Sequence, residues 1–415
     1  MDKSIFSQRL LDRFLRYVAF DTMSDPHVTD RRPSTENQML LLQTIEQELN
    51  EMGLTDTTLD SNGYLIGRLK SNLPAGKKVD TIGFMAHVDV ADDVMGNGVK
   101  PTVIDNYDGS DIILNKDIVL KVEENRHLLD YVGSQIVVTD GTTLLGGDDK
   151  AGVAILVSVA QYFLENEDLK HGEIEFIFTT DEETGRGMDA FDPKWLNSTC
   201  CYTLDGGVRG EVEAECFNAA TVKVDFYGVP QHLGAARAKM VNSVTMATKF
   251  VSMLPQSESP EATDGRFGYY CADEIRGTIG HTHLNLHIRD FDYDNLLKRI
   301  DNLKSLSIAI ENLFDGGKVQ LSSEVVYRNM YDSIKKDSRV MKAIFEAAEK
   351  LNLVLEQKII RGGTDGARLA EMGIPTPNLF TGSHNLHSVT EWVGVKTMVD
   401  SAKLVEQIIY WWAKT

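Results

Sequence analysis

The stretch Phe178-Thr179-Thr180-Asp181-Glu182-Glu183-Thr184-Gly185 decides how this chain is read. It closes a short alternating apolar run, Ile174 to Phe178, that predicts a β-strand, so three successive carboxylates stand where the strand ends. Adjacent carboxylates repel unless a cation or a shared proton offsets their charge. A solvated acidic turn would account for the tripeptide taken alone. The arrangement recurs, however. Thr81 to Asp89 is too apolar to face water on either side, as a central strand of a parallel sheet is, and it ends on His87 and Asp89, which point to one side if the strand continues. Cys200 to Leu204 is a further apolar run, closed by Asp205-Gly206-Gly207. Three parallel strands ending in possible ligands predict an α/β fold whose site lies beyond the carboxyl ends of those strands.

The remaining segments fit that frame. An amphipathic helix within Met1 to Phe20 carries charges throughout, so it has neither a signal-peptide core nor membrane-spanning length. Pro33-Ser34-Thr35-Glu36 opens a second helix reaching about Met52, with Ser34 or Thr35 expected to cap it. Asn62-Gly63 predicts a tight turn between Thr58–Ser61 and Tyr64–Leu69. At Leu145-Gly146-Gly147-Asp148-Asp149-Lys150-Ala151-Gly152 a glycine turn leads into an apolar helix, Val153 to Leu164, and one of the two aspartates is expected to cap it. From about Phe217 the order becomes strand, helix, strand, strand, helix, strand, which predicts a smaller α+β (ferredoxin-like) domain, 217–327, inserted in a larger one made of 1–216 and 328–415. The α/β texture then resumes through Arg361-Gly362-Gly363-Thr364-Asp365-Gly366, a strand Thr376–Phe380, a loop containing His384 and His387, and a closing helix Gly394–Trp412.

With 415 residues, 42% apolar and 25% charged, the chain can bury two cores. Its net charge of −20 repels phosphate backbones and anionic membranes, so neither nucleic acid nor membrane is expected as a partner. Small zwitterionic substrates and divalent cations remain compatible with it. Cys200, Cys201, Cys216 and Cys271 form no metal-binding pattern and read as buried thiols of a cytoplasmic protein.

His87, Asp148, Glu183, Asp205 and His387 are the nitrogen and oxygen donors that suit zinc, cobalt or manganese, and they are too many for one catalytic zinc. Two metals sharing a carboxylate match the count, and Glu182 stands where it could deprotonate a water held between them. The motifs at 87–89, 145–152, 181–185 and 205–207, with His387, resemble the co-catalytic zinc exopeptidases, and the likeness extends to Ile288-Arg289-Asp290-Phe291-Asp292 and to 361–366. Within that family the likeness is greatest to the tripeptide aminopeptidases. It implies a catalytic domain with a mostly parallel central sheet flanked by helices, a lid formed by the inserted domain, and two Zn2+ per subunit, with Co2+ or Mn2+ able to substitute.

The same resemblance implies individual roles. His87 and Asp205 hold one zinc, Glu183 and His387 the other, and Asp148 bridges. Asp89 orients His87, Glu182 is the general base, and the Asp148–Asp149 peptide is cis. In the lid, His232 stabilises the oxyanion and Arg289 pairs with a substrate carboxylate, aided by Arg361 and the amides of Gly362 and Gly363. The chain departs from the family at His232-Leu233-Gly234, where His-Pro-Gly is usual. Removal of the first residue of a tripeptide is the leading reading. A dipeptidase or N-acyl-amino-acid deacylase on the same scaffold, and a non-catalytic metal- or peptide-binding protein, are the alternatives, and a monomer and a homodimer are both compatible with the family. His281 and His283 can face one side of a strand, which reads first as a plain polar strand face, with a further metal site as the alternative.

Overall fold

The computed structural model describes residues 3–415. It divides into two compact units. The first contains the residues up to Ala214 together with Asp332–Lys358 and Thr364–Thr415, and the second Glu215–Tyr331 with Ile359–Gly363. These limits lie a few residues from those expected at 216/217 and 327/328. The segment 359–363 is a larger difference. There the Arg361 guanidinium donates to the carbonyls of Thr263, Gly265 and Phe267, all in the second unit.

The main sheet has eight strands: β1 (Thr57–Leu59), β2 (Leu65–Leu69), β3 (Ile82–His87), β4 (Ile174–Thr179), β5 (Cys200–Gly206), β6 (Glu211–Cys216), β7 (Glu356–Ile360) and β8 (Asn378–Phe380), in the spatial order β1-β2-β4-β3-β5-β8-β6-β7. The strands that end at His87, Asp181 and Asp205 are parallel neighbours, and β8 continues the parallel centre beside β5. Outside that centre, β2 runs antiparallel to β4 and β6 to β8, so the sheet as a whole is mixed. Every residue of β3 and β4 is buried, as expected of strands covered on both faces.

The helices α1 (Lys3–Val18), α2 (Glu36–Glu51), α3 (Gly147–Glu165), α4 (Ser338–Lys350) and α5 (Val395–Trp412) belong to the first unit. α3 lies against β3 and β5 and touches α1 and α5. Its residues Val153 to Ala160 are all buried, which explains a segment apolar all round. Gly152 is what permits the close approach: a Cβ there would stand 2.1 Å from the Leu204 carbonyl oxygen of β5. The segment 97–139, turn-rich in sequence, supplies strands 102–104 and 136–138 to a separate small sheet completed by 383–384 and 392–394.

One local expectation fails. Neither Ser34 nor Thr35 caps α2: the N-cap Thr35 accepts no side-chain cap bond, and its hydroxyl donates to the Met23 carbonyl. Ser34 is used elsewhere, because its amide and hydroxyl both donate to Asp181. A buried carboxylate outcompetes a helix end that other groups can satisfy.

The second unit has its own core. Strands 269–277, 281–290, 218–227 and 318–327 form, in that order, a wholly antiparallel sheet. Val222, Val224, Phe226, Leu284, Leu286 and Ile288 alternate onto one face and pack with Met246 and Phe250 of helix 243–252 and Leu296, Ile300 and Leu303 of helix 293–313. The other face carries the intervening polar residues.

α1 and α2 are tied by a partly buried ionic cluster. Glu48 accepts from Arg13 Nε at 2.9 Å and from the Tyr17 hydroxyl at 2.6 Å, while Arg13 also donates to Ser158 and Gln161 of α3. Burial favours the neutral acid, but Arg13, Tyr17 and Arg16 together hold the Glu48 carboxyl below its ordinary 4.5. The stabilisation is therefore complete above that value and is lost as pH falls through the lower folded one. Glu48→Gln should cost about 2 kcal/mol at neutral pH by stranding the Arg13 charge. Urea unfolding at about pH 7 and about pH 4 should show the gap from wild type narrowing on acidification; a gap independent of pH would refute the linkage.

Candidate metal centre

The ends of β3, β4 and β5 bring three segments distant in sequence to one place. His87 is the last residue of β3 and is 3% exposed. Its Nε2 lies 3.1 Å from Asp148 Oδ1 and 3.4 Å from Asp205 Oδ1, and its Nδ1 lies 3.3 Å from Asp89 Oδ1. His387 comes from the loop after β8. Its Nε2 is 3.0 Å from Glu183 Oε2 and 3.6 Å from Asp148 Oδ2. Asp148 thus reaches the two imidazoles with one oxygen each. The donor atoms of His87, Asp148 and Glu183 lie within 4.8 Å of one another.

Asp149 reaches the same pocket, with His87 and Asp205. Its oxygens are nevertheless committed to backbone, accepting from His87 N at 3.2 Å and Gly152 N at 3.1 Å. It caps α3, whose helical geometry begins only after the Asp148–Asp149 pair. The peptide between the two aspartates is cis.

The carboxylates around the pocket divide into those that hold backbone and those that face inward. Asp89 accepts from the amides of Glu182 and Glu183 at 3.1 Å each, and so fixes the turn that presents both. Asp181 has a left-handed φ of 59°, rare for a residue with a side chain. It is held by the amide and hydroxyl of Ser34 and by both ends of the Gln38 amide. Glu391 accepts from the amides of Leu145, Gly146 and Asp148 and thereby shapes the glycine turn. Asp93 lies 2.9 Å from His387 Nδ1, in the position of an orienting carboxylate. The Asp205 amide donates to Asn378, which in turn donates to Glu213.

Asp181 was conspicuous in sequence only as part of an acidic triplet, and Glu391 was not singled out at all. Asp93, Ser34 and Gln38 carried no signal for these contacts, because each partner is remote in the chain.

Charge in the pocket is unbalanced. Burial, reinforced by Asp205, Asp365 and Glu183, pushes the Glu182 carboxyl up, and burial together with Asp148 pushes up Asp205. Glu183 is raised to about 7 by burial and by Asp148. His387 is pushed up to about 11 by its contacts with Asp148 and Glu183, and Asp148, despite its burial, is pulled down by the two imidazoles. The Oε1 atom of Glu183 is buried with no hydrogen-bond partner. A polar atom so placed is costly, and a cation in the pocket would satisfy it while offsetting the carboxylate repulsion. The residues present therefore fit a metal.

A model of peptidase family M20/M25/M40 matches residues 134–411. The chain belongs to that family. Peptidase T of Clostridium novyi (strain NT) is 41% identical over 98% of this chain and 100% of its own length, and peptidase T of Clostridium botulinum (strain Hall) is 42% identical over 96% and 98%. The crystal structure of aminopeptidase PepT from Bacillus cereus ATCC 10987 has the same fold, with a TM-score of 0.77, 24% identity, and 98% of this chain and 99% of that one covered. The chain is accordingly a metallopeptidase of the M20/M25/M40 family. Among the described residues, no helix is long and apolar enough to cross a membrane.

The remaining residues singled out in sequence lie in the second unit. His232 is exposed, and its Nδ1 accepts from Gly234 N at 3.2 Å; Leu233 beside it is 72% exposed. Arg289 donates through Nη1 to the carbonyls of Ile288 and Ala220 and lies 5.7 Å from the centre of the Tyr327 ring. Arg361, besides its carbonyl contacts, lies over Phe217 at 5.1 Å, and Gly363 abuts Tyr327 so closely that a Cβ would stand 2.6 Å from the ring.

Asp205→Ala should weaken metal binding by more than the roughly 10- to 100-fold that loss of an outer-sphere partner costs. Metal analysis after dialysis checks this, and undiminished occupancy would remove Asp205 from the ligand set.

Proposed function

We propose that this metallopeptidase is a cytoplasmic aminopeptidase that removes the N-terminal residue of tripeptides, using two zinc ions held by His87 and Asp205, by Glu183 and His387, and by Asp148 between them. The observation that carries the reading is the pair of imidazoles facing opposite oxygens of Asp148, with Glu182 presented beside them. When bound, the two ions supply Lewis acidity, which polarises the peptide carbonyl and lowers the pKa of water toward neutrality.

The chain's own groups do the rest. Glu182, its turn clamped by Asp89, takes a proton from the attacking water and returns it to the departing amine. Its enclosure and carboxylate neighbours raise its proton affinity, as that task requires. Asp89 and Asp93 orient the two imidazoles from their Nδ1 sides.

The second unit is proposed as the lid. The Gly234 amide donates to His232 Nδ1, which leaves the proton on Nε2 and makes that atom a donor suited to a developing oxyanion. Arg289 would pair with the substrate's terminal carboxylate. The amides of Gly362 and Gly363 would add donors, with Arg361 holding their turn through its carbonyl contacts. The tripeptide substrate is supported by relatives named peptidase T at 41–42% identity over nearly the whole chain.

Zinc- or cobalt-loaded protein should release the first residue of a free tripeptide and leave its N-acetylated form and the corresponding dipeptide intact, read by mass spectrometry of products. Cleavage of the acetylated compound or the dipeptide instead would move the activity to a deacylase or dipeptidase on the same scaffold. Glu182→Ala should keep its metal and lose about three or more orders of magnitude in kcat; near-normal turnover would exclude Glu182 as the base.

A further inference from the structure

The polar face of the second unit's sheet places one carboxylate between two imidazoles. His281 and His283 are separated by the buried Thr282 on strand 281–290, so both project away from the helices. Asp225, on the neighbouring strand 218–227, is the residue directly opposite His283. Its Oδ1 lies 2.8 Å from His281 Nε2 and 3.0 Å from His283 Nδ1. The His281 ring is also stacked on Tyr227, centroids 5.0 Å apart and planes at 24°, which limits its freedom.

We propose that Asp225, His281 and His283 form a second, separate binding site for a divalent cation of zinc type, one that ties together the two central strands of this sheet. Two imidazole nitrogens and a carboxylate are the donor set that zinc and its neighbours in the transition series prefer. Here they come from a hydrogen-bonded ladder of two strands, so their Cα positions are fixed by the sheet. Both nitrogens already point at the same oxygen. Closing them on an ion at about 2.0–2.1 Å draws the two nitrogens together around it, through rotation of the rings and of the carboxylate. The exposed side leaves room for water as further ligands. Arg276, the residue opposite His283 on strand 269–277, is ion-paired with Glu274. His287, further along the strand, faces Asp273 at 3.5 Å and stands outside the trio.

The site does not rest on the aminopeptidase reading, and its test counts metal rather than turnover. Full-length protein is stripped with chelator, equilibrated with buffered micromolar Zn2+, and analysed for zinc per chain by mass spectrometry. Wild type and His287→Ala should hold one equivalent more than His281→Ala/His283→Ala. Asp225→Asn, which keeps both rings, should show the same loss. Asp205→Ala should lose metal independently, so that combining it with the double histidine substitution removes both contributions. Equal zinc in wild type, the double variant and Asp225→Asn would overturn the site and leave the trio as a hydrogen-bonded ion pair only.

Discussion

Like charges packed into a nearly dry space constrain everything around them. Asp148, Glu183, Asp205 and Glu182 converge where water is scarce, and among the described residues the imidazoles of His87 and His387 are the positive partners paired with these acids. Such a pocket is stable when a cation completes it or when protons are shared. The raised carboxyls and the unpartnered Oε1 of Glu183 express the same imbalance, and they explain why so many surrounding hydrogen bonds serve to hold the walls in place.

Those walls follow a division of labour among the acids. Asp89, Asp149, Asp181 and Glu391 direct their oxygens to backbone amides, which neutralises part of their charge and sets the turns at 146–149 and 181–183. The acids that remain are thereby free to face the pocket. Metal chemistry and fold are linked through these contacts. The turn holding Glu182 and Glu183 is tied by Asp181 to Ser34 and Gln38 in the segment that opens α2, and the turn holding Asp148 is tied by Glu391 to the far end of the chain.

The second unit obeys a simpler rule. Its sheet is apolar on the helix side and polar on the other, so what its exposed face can do is set by which polar residues the antiparallel register aligns. Register puts Asp225 beside His283, and the period of two puts His281 on the same side. In the loop carrying His232, the Gly234 amide donates to the His232 Nδ1 across the intervening Leu233.

Much of this organisation was readable in the chain itself. The apolar runs 81–89, 174–178 and 200–204 read as strands of a parallel sheet, and the acids and the imidazole at their ends followed from α/β topology. The strand and helix order of the second unit was equally plain, because alternation and helical period are local properties of sequence. Sequence alone could not assign oxygens. It offered Ser34 or Thr35 as a helix cap, where the fold uses Ser34 to hold Asp181, and the helix start did not say which of Asp148 and Asp149 caps, where the fold turns Asp148 to the imidazoles and Asp149 to backbone. Nor could it find Asp93, Gln38 or Glu391 as partners of groups far along the chain. Residue types and periodicity determine which elements form and which donors are present. The direction of each donor depends on contacts between segments that only the packed sheet brings together, and tertiary structure decided those.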